Sequence, residues 1–205
     1  MRLLIIRHAQ PEPLSAASPD EQRPLDAAGR QQAACLAQAL RGQKLDRVIC
    51  SAMQRAVETA TPLARTLGVP LIREPALAEI NMGSLAAWGP AEWQQWEGIT
   101  TCWGAGDLAA NCPEGESLAD VVERVEPALA CLLATPCRHG LAIVAHAVVN
   151  GVILSLLCPE LRPALGRNLG HSLAGIWELE GDGAEFRALR RNDTSHLPSH
   201  LGHAE

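Results

Sequence analysis

The chain has 205 residues, of which 47% are hydrophobic and 20% are charged. These values are typical of a globular protein and exclude a disordered or fibrous chain. The formal net charge of −6 argues against a nucleic acid or an anionic membrane as the main partner. Lys44 is the only lysine, and no Gly-Lys pair is present to form a P-loop, so a phosphate site in this chain would use arginine and histidine.

The use of cysteine favours a reducing compartment. The seven cysteines are odd in number and form no Cys-x-x-Cys pair, which suits neither a disulfide framework nor a zinc ribbon. The apolar run at residues 3–6 is too short for the core of a signal peptide, and no stretch of about 18 apolar residues could span a membrane. We therefore expect a cytoplasmic protein that does not contact a membrane.

Strands and helices alternate in the first part of the chain. A continuous apolar run predicts a strand that is buried on both faces. Ser51 with Gln54 three residues later is a capping-box pattern, so we expect a helix to begin at Ser51. The predicted elements are a strand at 3–6, a Pro-rich loop at 11–24, a helix at 26–40, a strand at 45–50, a helix at 51–67 and a strand at 69–73.

The next segment, residues 75–115, interrupts this alternation. It shows little periodicity and holds four of the five tryptophans, namely Trp88, Trp93, Trp96 and Trp103. The elements predicted after it are a helix capped by Ser117 with Asp120, a strand at 141–145, a helix at 148–157, and a hairpin of strands at 173–179 and 184–189, followed by a polar tail from Asn192. We interpret residues 1–205 as a single domain with a Trp-rich insert at about 80–112. This insert would cap the ligand site, whose residues are described next.

The alternating elements predict a three-layer α/β/α sandwich with a mostly parallel sheet. In such a sheet, ligands bind beyond the carboxyl ends of the strands. Arg7 and His8 follow the first predicted strand, Arg55 lies one helical turn after the second, and His146 follows the strand at 141–145. These cationic groups are therefore expected to converge at one edge of the sheet.

This group of side chains predicts phosphoryl transfer through a histidine. Two guanidinium groups match the oxygens of a phosphate, and helix N-termini at Ser51 and near Ala147 would add backbone donors. One imidazole can attack phosphorus, while the second can donate a hydrogen bond to the equatorial oxygens during transfer.

Six sequence blocks also carry a resemblance to a known family. They are LIIRHAQ at 4–10, CSAMQRAVETA at 50–60, LAEINMG at 77–83, PEGES at 113–117 with Arg124, AIVAH at 142–146, and Asn192 with HL at 196–197. In this order they resemble the motifs of the histidine phosphatase superfamily, which includes cofactor-dependent phosphoglycerate mutases and many small phosphatases. The resemblance implies the phosphoglycerate mutase-like fold.

The resemblance also implies a role for each site residue. His8 would be the nucleophile that becomes phosphohistidine, and Glu79 would be the proton donor. Arg7, Arg55 and His146 would hold the phosphoryl group, together with the backbone at Ala147. In the acid phosphatase and phytase branch an aspartate directly after the second histidine donates the proton, and Ala147 at that position favours Glu79. No metal and no cofactor are implied.

Several positions depart from the family pattern. Ala9 replaces the glycine of the first motif but is expected to supply the same backbone N–H. Leu14 stands where the family often has an asparagine that binds phosphate. Ala147 and Val148 replace glycines, and the residues after Gly83 differ as well. These departures affect the expected substrate and catalytic efficiency, while the catalytic set itself is intact.

Three functions remain open at this point. The first is a metal-independent phosphomonoesterase that acts through phosphohistidine on a small phosphorylated metabolite. The second is a cofactor-dependent phosphoglycerate mutase, although mutases of the family usually have a longer chain than 205 residues. The third is a weakly active member that binds phosphorylated ligands, which the intact catalytic set argues against. A homodimer is compatible with all three.

Overall fold

The computed structural model describes residues 1–14, 19–84 and 89–202. Residues 15–18 of the predicted loop, 85–88 of the predicted insert, with Trp88, and 203–205 lie outside the described residues. The strands are β1 (Arg2–Arg7), β2 (Arg47–Ser51), β3 (Leu71–Glu74), β4 (Gly140–Ala145), β5 (Ile176–Gly181) and β6 (Phe186–Asp193). The helices are α1 (Ala27–Ala39), α2 (Gln54–Leu67), α3 (Pro90–Gly104), α4 (Leu118–Ala134) and α5 (Ala147–Leu157).

The six strands form one sheet in the order β3-β2-β4-β1-β5-β6. The first four strands of this order are parallel, and β5 and β6 add an antiparallel hairpin at one edge. Ile5 in the middle of β1 pairs with Ile143 of β4 on one side and with Trp177 of β5 on the other. The predicted α/β fold with a mostly parallel sheet is confirmed.

Alternate side chains of the strands face two different helical layers. Leu3 and Ile5 pack into a core with residues of α3, α4 and α5, whereas Leu4 and Ile6 pack against α1 and α2 on the other face. All four side chains are fully buried. The continuous apolar run at residues 3–6 follows from this arrangement, because a strand between two helical layers has no solvent-facing side.

The starts of the helices test the predicted caps. Ser117 and Asp120 form the expected capping box at α4. The predicted cap at Ser51 is wrong, because Ser51 ends β2 in register with Glu74 of β3, and α2 begins only at Gln54. The Ser51 hydroxyl instead accepts a hydrogen bond from the Met53 N–H at 3.2 Å. Ser51 therefore lies in the sheet, although the local sequence pattern predicted that it would cap a helix.

Helix α3 lies within the segment that showed little periodicity. Of its side chains only Ile99 and Trp103 are buried, so too few apolar positions recur to produce a helical pattern. Trp103 anchors the helix. Its Nε1 donates a hydrogen bond to the Ala110 carbonyl at 2.7 Å, and its ring packs edge-on against the Trp96 ring, with 5.3 Å between the ring centroids.

The last part of the chain is more ordered than the predicted polar tail. Strand β6 continues through Asn192, and the 3-10 turn Ser199–Leu201 packs against the body of the protein. Leu201 is buried, and its carbonyl accepts a hydrogen bond from Gln32 Nε2 at 2.8 Å. None of the helices in the described ranges combines the length and the hydropathy that a membrane span requires.

Candidate active site

The predicted site residues meet at the carboxyl ends of the four parallel strands. Arg7 ends β1 and His8 follows it, Arg55 lies in the first turn of α2, Glu79 follows β3 after a 3-10 turn, and His146 joins β4 to α5. A cavity of about 980 Å³ opens at this edge and is lined by five of them, Arg7, His8, Arg55, Glu79 and Ala147. His146 lies against His8, with 5.0 Å between the ring centroids.

His8 is placed as a neutral nucleophile. Its Nδ1 lies 2.7 Å from the Ala9 carbonyl oxygen. Since a carbonyl can only accept, Nδ1 carries the proton and Nε2 keeps a free lone pair. Burial, reinforced by the charges of Arg55 and Arg7, holds the pKa of His8 well below its usual value. The imidazole is therefore unprotonated at neutral pH.

Ala9 does not supply the free backbone donor that we expected. Its N–H donates to Thr59 Oγ1 at 2.9 Å, and its carbonyl orients His8. Thr59 in turn donates to the Arg55 carbonyl at 2.7 Å. Ala9 therefore links the nucleophile to helix α2, and its N–H is already used within the protein.

The two arginines carry donors without acceptors. Arg7 Nη1 donates to the His171 carbonyl, and Arg55 donates to the Asp20 carbonyl at 2.9 Å and to the Asp20 carboxylate at 3.0 Å. The Nε atoms of Arg7 and Arg55 are buried and find no acceptor within the described ranges. A phosphate oxygen would supply such an acceptor.

Glu79 is held by two backbone donors. One carboxylate oxygen accepts from the Ile80 N–H at 3.1 Å, and the other accepts from the Val148 N–H at 3.3 Å. Burial nevertheless raises the pKa of Glu79 above its usual value, against the opposing effects of these hydrogen bonds and of the arginines. Arg124 supports the backbone, because it donates to the Glu79 carbonyl at 3.4 Å.

His146 offers a neutral ring with no fixed partner. It is fully buried, and neither of its nitrogens has a hydrogen-bond partner among the residues that the structure describes. Burial and the neighbouring His8, Arg55 and Arg7 lower its pKa well below the usual value. Its single N–H is therefore available to an oxyanion beside His8. Within residues 1–14, 19–84 and 89–202, no group of three or more His, Cys, Asp or Glu side chains is placed to bind a metal ion.

The family model of the histidine phosphatase superfamily (branch 1) matches residues 3–194. The chain belongs to this superfamily.

A relative from Yersinia enterocolitica, named "Probable phosphoglycerate mutase GpmB", is 33% identical over 139 residues, which cover 65% of this chain and 63% of the relative. The chain thus spans less than two thirds of the curated relative that it matches.

Two solved structures share the fold at lower identity. Mycobacterial glucosyl-3-phosphoglycerate phosphatase in complex with VO3 has a TM-score of 0.78 at 24% identity, covering 94% of this chain and 99% of the other. The alpha-ribazole phosphatase from Shigella flexneri has a TM-score of 0.73 at 23% identity, covering 94% and 96%. At these identities the likeness concerns the fold alone.

Further residues of the cavity were not predicted from the superfamily motifs or from the sequence pattern. Asp20 and Arg23 line it from the loop after β1, and their only sequence signal was a short charged stretch between two prolines. His171 and Ser172 form another part of the wall, where Asn192 accepts from the Ser172 N–H at 2.8 Å. Leu14, which stands where the superfamily often has asparagine, also faces the cavity.

Proposed function

We propose that the protein is a phosphomonoesterase that transfers the phosphoryl group of a small phosphorylated metabolite first to His8 and then to water, without a metal ion. The observation that carries this proposal is the pairing of a neutral, anchored imidazole with a carboxyl group of raised pKa at one end of the cavity. The first group can attack phosphorus, and the second can supply the proton that the leaving group needs.

In the first step, the lone pair of His8 Nε2 forms a bond to phosphorus while the bond from phosphorus to the alcohol oxygen breaks. The proton of Glu79 moves to that oxygen, so a neutral alcohol leaves. His8 keeps its Nδ1 proton, and the hydrogen bond to the Ala9 carbonyl stabilises the positive charge that the ring acquires. Arg7, Arg55 and the N–H of His146 would bind the three phosphoryl oxygens.

In the second step, water attacks the phosphorus of phosphohistidine. Glu79 takes a proton from this water, the bond from phosphorus to Nε2 breaks, and its electrons return to the ring. Inorganic phosphate then leaves, which restores neutral His8 and protonated Glu79. The volume of the cavity, about 980 Å³, supports hydrolysis because it leaves room for water beside the phosphoryl group.

Phosphoglycerate mutase activity is the second candidate, and the match to the GpmB relative favours it. A mutase must exclude water and return the phosphoryl group to the substrate. A panel of phosphorylated metabolites, assayed in the presence of EDTA for phosphate release and for isomerisation, separates the two. Release of phosphate without isomerisation supports the phosphatase, and isomerisation supports the mutase. If neither product forms, the remaining candidate is a protein that binds phosphorylated ligands. Strict dependence on an added divalent ion would contradict the proposed mechanism.

A further inference from the structure

The buried Arg55 of the candidate site already contacts an anion, the carboxylate of Asp20. One of its oxygens lies 3.0 Å from Arg55 Nη2, and the other lies 3.0 Å from Arg23 Nε. Arg55 is 2% exposed, whereas the side chains of Arg23 and Asp20 are 20% and 33% exposed. A single carboxylate thus bridges a buried phosphate-site arginine and a second arginine that faces the same cavity.

The two contacts of Asp20 differ in quality. The contact with Arg55 is a hydrogen-bonded ion pair, and a second bond runs from Arg55 to the Asp20 backbone carbonyl. The contact with Arg23 has a short distance without hydrogen-bond alignment, and the buried Arg23 Nε has no hydrogen-bond acceptor within the described ranges. The Arg23 backbone N–H donates to the Asp20 carbonyl at 3.2 Å, whereas its side-chain Nε has no acceptor among the described residues and retains a donor for another oxygen.

Arg23 also lines the same cavity as His8 and Arg7. After burial, Arg55 and Arg7, its charge is a further, smaller cause of the lowered pKa of His8. An anion bound in this cavity would therefore experience the positive charge of Arg23.

We propose that Arg23 is a third phosphate-binding arginine. The Asp20 carboxylate occupies the anion position beside Arg23, and part of the anion position beside Arg55, until the substrate dianion displaces it. This inference rests on the proposed function, because it assumes a phosphoryl group beside His8. The bond from Arg55 to the Asp20 backbone carbonyl can persist when the carboxylate leaves, so the buried arginine keeps its position. When the dianion binds, the two arginines exchange a partly exposed carboxylate for an oxyanion that has more charge and more acceptor atoms.

The alternative is that Asp20 stays in place and positions Arg55 for the phosphate. The two accounts predict opposite signs for the removal of the Asp20 charge. A displaced carboxylate competes with the ligand, so its loss strengthens binding. A positioning carboxylate supports the ligand, so its loss weakens binding.

The test is the affinity for orthovanadate, measured by calorimetry on the whole protein, with no turnover required. Asp20→Asn is expected to bind orthovanadate about fivefold more tightly, as expected for the loss of partly exposed ion pairs that compete with the ligand. Arg23→Gln is expected to bind about tenfold more weakly, since a charged hydrogen bond to the anion is lost. The matched control is Glu12→Gln, which removes the same charge from the same loop at an exposed position that is not part of the cavity lining and has no ion pair among the described residues. We expect it to change the affinity by less than about twofold, because solvent and salt screen an exposed charge.

Weaker or unchanged binding by Asp20→Asn would overturn the displacement, and unchanged binding by Arg23→Gln would overturn the third arginine. An equal gain in Glu12→Gln would also overturn the displacement, since the effect would then come from net charge alone. The thermal midpoint of each variant shows that it is folded. The wild-type protein and its variants could show this order of orthovanadate affinities while the wild-type protein hydrolyses no phosphate ester. In that case the proposed function fails and this inference stands.

Discussion

Burial sets the protonation states of the two side chains that would exchange a phosphoryl group and a proton. It lowers the pKa of His8 and raises the pKa of Glu79. His8 thus becomes reactive at a lower pH than a free histidine would, and Glu79 keeps its proton to a higher pH than a free glutamate would. A phosphate dianion in the site would raise the pKa of Glu79 further, because it adds negative charge nearby.

The first prediction concerns the proton donor. An alkoxide leaving group is a strong base and must be protonated as its bond to phosphorus breaks, whereas p-nitrophenolate is stable as the anion. Glu79→Gln should therefore slow the hydrolysis of alkyl phosphates by roughly 10²–10⁴-fold and that of p-nitrophenyl phosphate far less. It should also flatten the alkaline limb of the pH profile for alkyl substrates. Burst kinetics establish whether phosphorylation of His8 limits the rate, which the comparison requires.

One other carboxylate serves as the control for this prediction, and a second is a poor alternative donor. Glu12→Gln changes an exposed residue of the loop after β1 and should show no preference for one type of leaving group. The pKa of Glu116 is lowered, since its hydrogen bonds and ion pair with Arg124 outweigh the effect of burial, so this carboxyl is a poor proton donor. Equal losses for alkyl and aryl substrates in Glu79→Gln would make Glu79 a binding or structural residue.

The sequence predicted residues that are joined to strand ends better than residues of loops. Arg7, His8 and His146 follow short apolar runs that are typical of buried strands, so their meeting at one edge follows from the topology of a parallel sheet. Asp20 and Arg23 lie in a loop, where no periodicity reports which side chains face the cavity. The use of the Ala9 N–H by Thr59 likewise depends on a contact across 50 positions of the chain.

At the scale of secondary structure, local patterns were sufficient where no neighbour competed for the backbone. The capping box at Ser117 is present as predicted. The same pattern at Ser51 does not cap a helix, because Ser51 pairs with Glu74 of β3. Helix α3 was not predicted because its core contact is confined to one end, around Ile99 and Trp103. A helix with only two buried side chains has little apolar periodicity to detect.

The second prediction tests the role of α3 as a cover of the site. Trp93 is 51% exposed and faces the cavity together with Trp96 and Met82. Trp93→Ala should raise KM several-fold for substrates with a bulky apolar leaving group, and the effect should diminish as the leaving group becomes smaller. Steady-state kinetics on a graded series of phosphate esters measure this trend.

The control for Trp93 is Leu189→Ala. Leu189 is 48% exposed and lies on the edge strand β6, so its truncation removes an apolar side chain of similar fractional exposure from another element. We expect no dependence on leaving-group size in that variant. A change in KM that is uniform across the series in Trp93→Ala would show that α3 does not contact the leaving group.

For the molecule as a whole, the three-layer fold buries several imidazoles in their neutral form. Burial lowers the pKa of His171 to about 4, with a further contribution from Arg7, and it also lowers the pKa values of His8 and His146. The unfolded chain binds protons at these groups near their usual pKa. The stability that they contribute is therefore present above about pH 6.5 and is lost as the pH falls from there toward the lowered folded values.

The third prediction measures this linkage at one residue. Between pH 7 and pH 5, the neutral burial of His171 should account for about 2 kcal/mol of the loss in the free energy of unfolding. His171→Gln removes the titration, so urea unfolding of this variant should lose less stability over the same interval. His139→Gln, at an exposed position, is the control and should match the wild-type protein. An identical pH dependence in His171→Gln would mean that His171 does not titrate differently on folding.

The central claim is that the phosphoryl group passes through His8. The direct measurement is rapid mixing of the protein with a radiolabelled phosphate ester, followed by denaturation in alkali and mapping of the labelled peptide. We predict an alkali-stable, acid-labile phosphate on His8, and no label in His8→Ala, which should still fold because this residue follows a strand end and lies outside the three hydrophobic clusters. Label that survives in His8→Ala, or an acid-stable phosphoserine at Ser51 in a parallel sample denatured in acid, would contradict the mechanism.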